Sequence, residues 1–109
     1  MTAFNKTVVV IHAHPDDTEA FCSGILALLK QRGYRIVIVT MTAGGMGAIS
    51  MNEKKTMAAR KIEAQKAADV LGAKYYCLEQ RDGYVFDNEK VRIAVTDLVR
   101  REKAGIVIT

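Results

Sequence analysis

The segment best equipped for chemistry covers residues 12–19, where imidazole and carboxylate side chains lie together in one predicted turn. His14 and Asp17 are three residues apart around Pro15, at the start of a predicted helix, so both side chains can point toward one position. Neutral imidazole with carboxylate is a ligand mixture typical of catalytic zinc. Of the adjacent Asp16 and Asp17, one can coordinate a metal ion while the other acts as a base. The segment therefore predicts a divalent metal site beside an acid–base residue.

The same segment also admits structural interpretations. Either aspartate could cap the following helix, and His14 could be an ordinary turn residue. His12 lies on the strand side of the turn, where a structural role or a supporting role behind the metal ligands is favoured. Binding of NAD or FAD is not expected, because a dinucleotide site needs bare glycine backbone here, whereas these carboxylates repel phosphate.

Strands and helices alternate along the sequence. Runs of β-branched residues predict strands, and apolar residues at helical spacing or Ala-rich composition predict helices. The predicted strands are 7–12, 34–42, 74–78 and 105–109, and the predicted helices are 18–32, 53–71 and a third capped by Asp87 or Asn88. The apolar face of the first helix is assigned to Phe21, Ile25, Leu28 and Leu29, and glycines follow the three helices at positions 33, 72 and 105.

This alternation predicts an α/β fold, a Rossmann-like parallel sheet in the order βαβαβαβ with helices on both faces. We expect one domain over residues 1–109. Parallel sheets bind ligands beyond the carboxyl ends of their strands, which here are residues 12–17, 42–47 and 78–83 and the position after Thr109. The loop with Gly44, Gly45 and Gly47 is either a mobile rim of that site or a flexible connection.

Composition excludes several classes of protein. Half of the residues are hydrophobic and the formal net charge is only +4, which is unlike a disordered segment. No apolar run approaches the roughly 18–20 residues that span a bilayer. Basic residues are scattered and aromatics make up only 6%, so nucleic acid is not an expected partner. Two cysteines, Cys22 and Cys77, cannot form a disulfide framework, which fits a reducing cytoplasm. The sequence leaves the oligomeric state open, including a homo-oligomer.

The motif Ala13-His14-Pro15-Asp16-Asp17 resembles the signature of the LmbE-like (PIG-L) zinc-dependent de-N-acetylases. The resemblance continues along nearly the whole chain. It includes Gly24, the strand at 37–40 with its Gly-rich loop, Arg60 with Glu63, and Asp82-Gly83. The His-Pro-Asp-Asp element is specific, whereas the other features are weak alone but follow the order of the family.

The resemblance implies hydrolysis of the acetyl amide of an N-acetylglucosamine-type sugar or conjugate. By analogy His14 and Asp17 are zinc ligands, and Asp16 is the general base that activates water and returns the proton to the leaving amine. Arg60 and Asp82 match family positions that contact the sugar. Arg60 is otherwise a solvated helix residue, and Asp82 is otherwise an ordinary turn former.

The family's third zinc ligand is a histidine just after the fourth strand, where this sequence ends at Thr109. We therefore expect residues 1–109 to be the N-terminal part of a larger three-layer α/β/α domain, with little deacetylase activity alone. Two alternatives stay open. One is a non-catalytic, truncated Rossmann-like module, and the other is a metallo-β-lactamase-like hydrolase, whose His-x-His-x-Asp-His signature the segment nearly matches.

Overall fold

Four strands and three helices alternate along the chain, as the sequence predicts. The computed structural model describes residues 4–109, so residues 1–3 of the predicted domain lie outside the described residues. In chain order the elements are β1 (Thr7–His12), α1 (Asp17–Gln31), β2 (Arg35–Thr42), α2 (Glu53–Leu71), β3 (Lys74–Gln80), α3 (Glu89–Arg101) and β4 (Ile106–Ile108). Among these described helices, none combines the length and apolarity needed to cross a bilayer.

The strands form one parallel sheet in the order β3-β2-β1-β4. The chain moves from β1 through β2 to β3 and then crosses back to place β4 on the other side of β1. A strand order that reverses in this way opens a crevice beyond the carboxyl end of the strand where it reverses. The predicted α/β class and parallel sheet are confirmed, and the crevice lies where the His-Pro-Asp-Asp turn follows β1.

The sheet is covered on both faces, which explains why β1 and β2 are almost uninterrupted runs of Val and Ile. Helices α1 and α2 pack on one face and α3 packs on the other. The buried core residues are Val8, Val10, Leu26, Ile36, Ile38 and Ala68 on the first face, and Val9, Val37, Val39 and Leu98 on the second. Two apolar layers therefore hold the strands rigidly beneath the crevice.

The predicted apolar face of α1 is wrong for three of its four residues. Phe21 is 80% exposed, and Ile25 and Leu28 are also exposed, whereas Leu29 packs against the core. The sheet instead contacts the stripe of Cys22 and Leu26. Both stripes have helical spacing, so only the way the helix docks on the sheet decides between them.

Two asparagines and one glycine mark helix ends that the sequence predicts. Asn52 and Asn88 accept the N–H groups of Lys55 and Val91, which satisfies donors at the starts of α2 and α3. Gly72 ends α2 in the left-handed conformation, with φ 69°. After α3, however, the left-handed residue is Lys103 and not a glycine.

Gly105 is required for a different reason. A Cβ atom on Gly105 would lie 1.9 Å from the carbonyl oxygen of Asn5, so no larger residue fits without movement of the backbone. The glycine therefore permits the start of β4 to pass close to the segment that leads into β1.

A buried carboxylate joins α3 to the starts of β2 and β3. Glu102, only 3% exposed, accepts hydrogen bonds from Arg35 at 2.7 Å and from the Tyr76 hydroxyl, and Lys74 lies 3.4 Å away. Burial alone would raise the pKa of Glu102, but these donors outweigh it and lower the pKa to about 2. The sequence does not indicate this role for Glu102, because its partners are distant along the chain.

This arrangement predicts a pH-dependent contribution to stability. The folded-state pKa of Glu102 lies below the ordinary value of 4.5, so its stabilisation is complete above about pH 4.5 and is lost as the pH falls toward 2. We expect Glu102→Gln to lower the free energy of unfolding at pH 7 by roughly 3 kcal/mol. This is the free energy that corresponds to lowering the pKa of Glu102 from 4.5 to about 2.

The measurement is denaturant unfolding of both proteins between pH 2 and pH 7. The difference between them should shrink as the pH falls. Asp97→Asn, which removes an exposed carboxylate paired with Arg101, is the control and should change stability little. A difference between Glu102→Gln and the parent that stays constant over this range would contradict the interpretation.

Candidate metal and substrate site

The carboxyl ends of β1, β2 and β3 and one face of α2 enclose an open cleft of about 250 Å³. Its lining contains all five residues for which sequence analysis predicted a catalytic, metal-binding or substrate-binding role. The lining residues are His14, Asp16, Asp17, Gly44, Gly47, Arg60 and Asp82. Four chain segments that are distant in sequence therefore meet at the edge of the sheet where the sequence predicts a site.

The turn between β1 and α1 holds His14 and Asp17 in a fixed relation. Asp17 Oδ2 accepts the backbone N–H of His14 at 2.9 Å, and the same oxygen lies 3.6 Å from His14 Nδ1. Two ligands that each lie about 2.0–2.2 Å from a tetrahedral zinc ion are about 3.4 Å apart. The observed separation is close to that value, so this pair fits two ligand positions around one zinc ion.

An imidazole nitrogen and a carboxylate oxygen are both donor types that bind zinc. Among the described residues, His14 and Asp17 supply one of each. No group of three or more His, Cys, Asp or Glu side chains within residues 4–109 is arranged to hold a metal ion. Catalytic zinc usually takes three protein ligands and one water. His14 and Asp17 are therefore spaced as two ligands of such a site would be, and their role as zinc ligands stays a prediction.

Asp82 lies at the back of the cleft and contacts two other segments. Its Oδ1 accepts a hydrogen bond from His14 Nε2 at 2.8 Å, and its Oδ2 accepts the backbone N–H of Met46 at 3.0 Å. Burial alone would raise the pKa of Asp82, but the hydrogen bonds from His14 and Met46 outweigh it and lower the pKa. Asp82 also begins a turn, since Gly83 is left-handed and Tyr84 N–H bonds to Arg81.

The chain reaches Asp82 through an irregular end of β3. The strand runs two residues beyond the predicted end and carries one extra residue against β2, where Thr40 pairs with Cys77 but Thr42 pairs with Gln80. Glu79 within this bulge has a φ of 57°. Bulges redirect a strand and are frequent beside active sites; the sequence contains no glycine here that could have indicated one.

Asp16 presents its carboxylate to solvent at the mouth of the cleft. The residue occupies the N-cap position of α1 but makes no side-chain capping bond, and its φ of 84° places it in the left-handed region. Its side chain is 73% exposed. The capping interpretation therefore does not hold for the Asp16 side chain, and strain of this kind is concentrated at functional sites.

Arg60 projects from α2 to the same turn. Its Nη2 donates to the carbonyl oxygen of Pro15 at 2.7 Å and lies 3.3 Å from Asp16 Oδ2. Glu63, the other member of the Arg-x-x-Glu pair, lies 3.9 Å from Arg60 Nε. The guanidinium is largely buried at the cleft wall, so the interpretation as a solvated helix residue does not hold.

The Gly-rich loop is a packed rim and not a loose connection. A Cβ atom on Gly45 would lie 2.8 Å from the side chains of both Glu53 and Met57 on α2. The Thr42 hydroxyl donates to the Ala13 carbonyl oxygen and accepts the N–H of Gly44. Thr42 was not anticipated from the sequence, because its role depends on the pairing of β1 with β2.

His12 does not line the cleft. Its Nδ1 lies 2.8 Å from the Thr18 hydroxyl, and the residue borders a separate apolar cavity with Val95 and Val107. This contact joins the end of β1 to the first turn of α1. The structural or supporting role of His12 stays a prediction.

A family profile described as PIG-L, GlcNAc-PI de-N-acetylase, matches residues 9–109. The chain belongs to the PIG-L family. This membership confirms the resemblance drawn from the His-Pro-Asp-Asp motif.

Solved and curated relatives agree with this assignment. The structure of N,N′-diacetylchitobiose deacetylase from Pyrococcus horikoshii superposes with a TM-score of 0.88 at 32% identity, covering 94% of this chain and 39% of that chain. A 1D-myo-inositol 2-acetamido-2-deoxy-alpha-D-glucopyranoside deacetylase from Corynebacterium glutamicum is 43% identical over 42 residues, 38% of this chain and 14% of the relative. These relatives are deacetylases.

One PIG-L relative has a different name. The 4-oxalmesaconate hydratase of Pseudomonas putida is 27% identical over 116 residues, 100% of this chain and 45% of the relative. The chain thus spans less than half the length of the relatives it matches. Family and fold are shared across them, and the chemistry has to be argued from the cleft itself.

The left-handed backbone of Asp16 predicts an inverted ranking of two substitutions. Both Asp16→Gly and Asp16→Ala remove the carboxylate, but only glycine adopts this conformation without steric cost. We expect the glycine variant to be more stable than the alanine variant by about 1 kcal/mol.

Denaturant unfolding measures this difference. The same two substitutions at the exposed helical residue Asp97 form the control, and there alanine should be the more stable by about 1 kcal/mol. Alanine being the more stable at both positions would contradict the backbone assignment of Asp16.

Proposed function

We propose that this PIG-L family protein is a zinc-dependent hydrolase that removes the acetyl group from an N-acetylglucosamine-type sugar or conjugate. The observation that carries the proposal is the spacing of His14 Nδ1 and Asp17 Oδ2, 3.6 Å apart, at the base of a cleft that also contains the exposed carboxylate of Asp16. A pair of possible metal-ligand atoms beside an exposed carboxylate is an arrangement that suits metal-assisted hydrolysis.

His14 and Asp17 would hold the zinc ion, which when bound polarises the acetyl carbonyl and makes water more acidic. Asp16 accepts the proton of the attacking water and delivers it to the leaving amine. Its side chain suits this role because it is exposed and makes no capping bond. Its Oδ2 contacts Arg60 Nη2 at 3.3 Å, which orients the carboxylate toward the cleft wall.

Arg60 would orient the sugar. A guanidinium carries five N–H donors in a fixed plane, and within the described residues Nη2 makes both contacts to the β1–α1 turn. These contacts fix the plane of the side chain, so that the remaining donors can bind sugar oxygens at the cleft wall.

The charge of the cleft supports a neutral sugar as substrate. Three carboxylates, Asp16, Asp17 and Asp82, line it together with one guanidinium. A substrate that itself carried several carboxylates would be repelled by this lining. An uncharged amino sugar has no such cost.

Hydration of a double bond is the second candidate, because the relative that aligns with the whole chain is a hydratase. The same pair of metal-ligand residues, His14 and Asp17, and the same base, Asp16, could activate water for addition to a conjugated double bond. The two candidates differ in product: hydrolysis of the amide releases acetate, whereas hydration removes the ultraviolet absorbance of the conjugated substrate.

We expect Asp16→Asn to separate metal binding from turnover. Zinc affinity, measured by calorimetry, should stay within about threefold, while acetate release from N,N′-diacetylchitobiose should fall by at least about 10²-fold, the usual contribution of a general base. Asp97→Asn is the matched control and should leave both unchanged. Loss of zinc in Asp16→Asn would instead mean that the roles of Asp16 and Asp17 are exchanged.

Zinc titration of the parent protein tests whether these residues act as an independent enzyme. A dissociation constant tighter than about 100 μM supports this, since that value corresponds to about 5–6 kcal/mol. Weaker binding without acetate release would contradict it and favour a non-catalytic module.

A further inference from the structure

Asp82 makes hydrogen bonds to two other segments that line the cleft. Both of its carboxylate oxygens are already hydrogen-bonded, Oδ1 to His14 Nε2 at 2.8 Å and Oδ2 to the N–H of Met46 at 3.0 Å. Its side chain is only 12% exposed. Each oxygen could still accept a second hydrogen bond, but the contacts that the structure shows are those to His14 and Met46. These two partners indicate a role for Asp82 within the cleft itself.

We propose that Asp82 is a positioning residue, which holds the His14 ring with its proton on Nε2 and thereby presents an unprotonated Nδ1 beside Asp17. This inference rests on the proposed zinc site and adds to it the residue that determines which nitrogen of His14 is the ligand. It differs from the substrate contact that the family resemblance implies for Asp82.

The contacts of Asp82 determine where the His14 proton lies. An ionised carboxylate only accepts hydrogen bonds, so the nitrogen 2.8 Å from Asp82 Oδ1 has to be the donor. In a neutral ring the other nitrogen, Nδ1, then carries a lone pair. Nδ1 lies 3.6 Å from Asp17 Oδ2, which is itself an acceptor. Two acceptor atoms at this separation are suited to binding one cation.

The bond from Met46 prevents Asp82 from changing partners freely. Rotation of the carboxylate would release the backbone N–H of Met46, which belongs to the rim that follows Gly44 and Gly45. That rim packs tightly on α2 at Gly45, so the Met46 N–H holds Asp82 Oδ2 in place. With Oδ2 held, the other oxygen, Oδ1, stays directed at His14. The metal-ligand geometry is thus coupled to the conformation of the Gly-rich loop.

Asp82→Asn tests this directly, because it has nearly the same shape but only one acceptor. If the Asn oxygen keeps the bond to Met46 N–H, the amide NH₂ faces His14 Nε2, which must then accept, and the ring proton moves to Nδ1. The substitution is therefore expected to place the proton on the nitrogen that faces Asp17.

The tautomer is read from long-range ¹H–¹⁵N spectra of the metal-free protein, at a pH where the chemical shifts show neutral rings. The protein has two histidines, so assignment is simple, and His12, which bonds to Thr18, is an internal reference. We expect the parent His14 to carry its proton on Nε2 and Asp82→Asn to shift it to Nδ1. Asp97→Asn should leave both rings unchanged.

Zinc affinity gives a second readout. Loss of a carboxylate that supports a metal-binding histidine typically weakens metal binding by about 10–100-fold, and we expect this for Asp82→Asn relative to Asp97→Asn. A parent His14 protonated on Nδ1, or a His14 tautomer that Asp82→Asn leaves unchanged, would overturn the proposal. The parent spectrum alone decides if the variant does not fold.

The tautomer is measured without metal or substrate, so the two proposals can fail separately. A tautomer shift in a protein that neither binds zinc nor releases acetate would support the positioning role and contradict the proposed hydrolase.

Discussion

Parallel pairing of β1 with a strand on each side is the constraint on which the rest of the molecule depends. Because β2 and β4 pair with both edges of β1, the position and direction of β1 are fixed up to its carboxyl end. Thr42 holds that exit, since its N–H and its hydroxyl both donate to the Ala13 carbonyl oxygen at 3.0 Å. The residues after Ala13 therefore start from a fixed point, and the side chains of the cleft are placed relative to it.

Signals within a single element were enough to predict the fold. Strands buried on both faces are runs of Val and Ile, and α2 has the predicted bounds because Asn52 and Gly72 define its ends. Contacts between distant elements were not predictable. Nothing local distinguishes the stripe of α1 that meets the sheet, and the partners of Glu102 are brought together only by packing.

The candidate site shows the same division. The rule that carboxyl ends of parallel strands share one edge predicts that His14, Asp16, Asp17 and Asp82 lie together. Arg60, which lies on α2, is assigned to the site only through the family resemblance. The rule does not predict which way these side chains point. That Asp82 faces His14, and that Asp16 does not cap its helix, depends on a bulge in β3 and a left-handed residue that no sequence pattern marks.

The backbone of Asp16 has a consequence for laboratory evolution of this protein. A library selected for heat resistance alone would enrich glycine at position 16, because that exchange relieves a strained conformation. The carboxylate would then vanish from the selected population without any sign of damage to the fold. Selections should therefore combine heat challenge with a screen for turnover, since at this position the most durable sequence and the most competent one are different molecules.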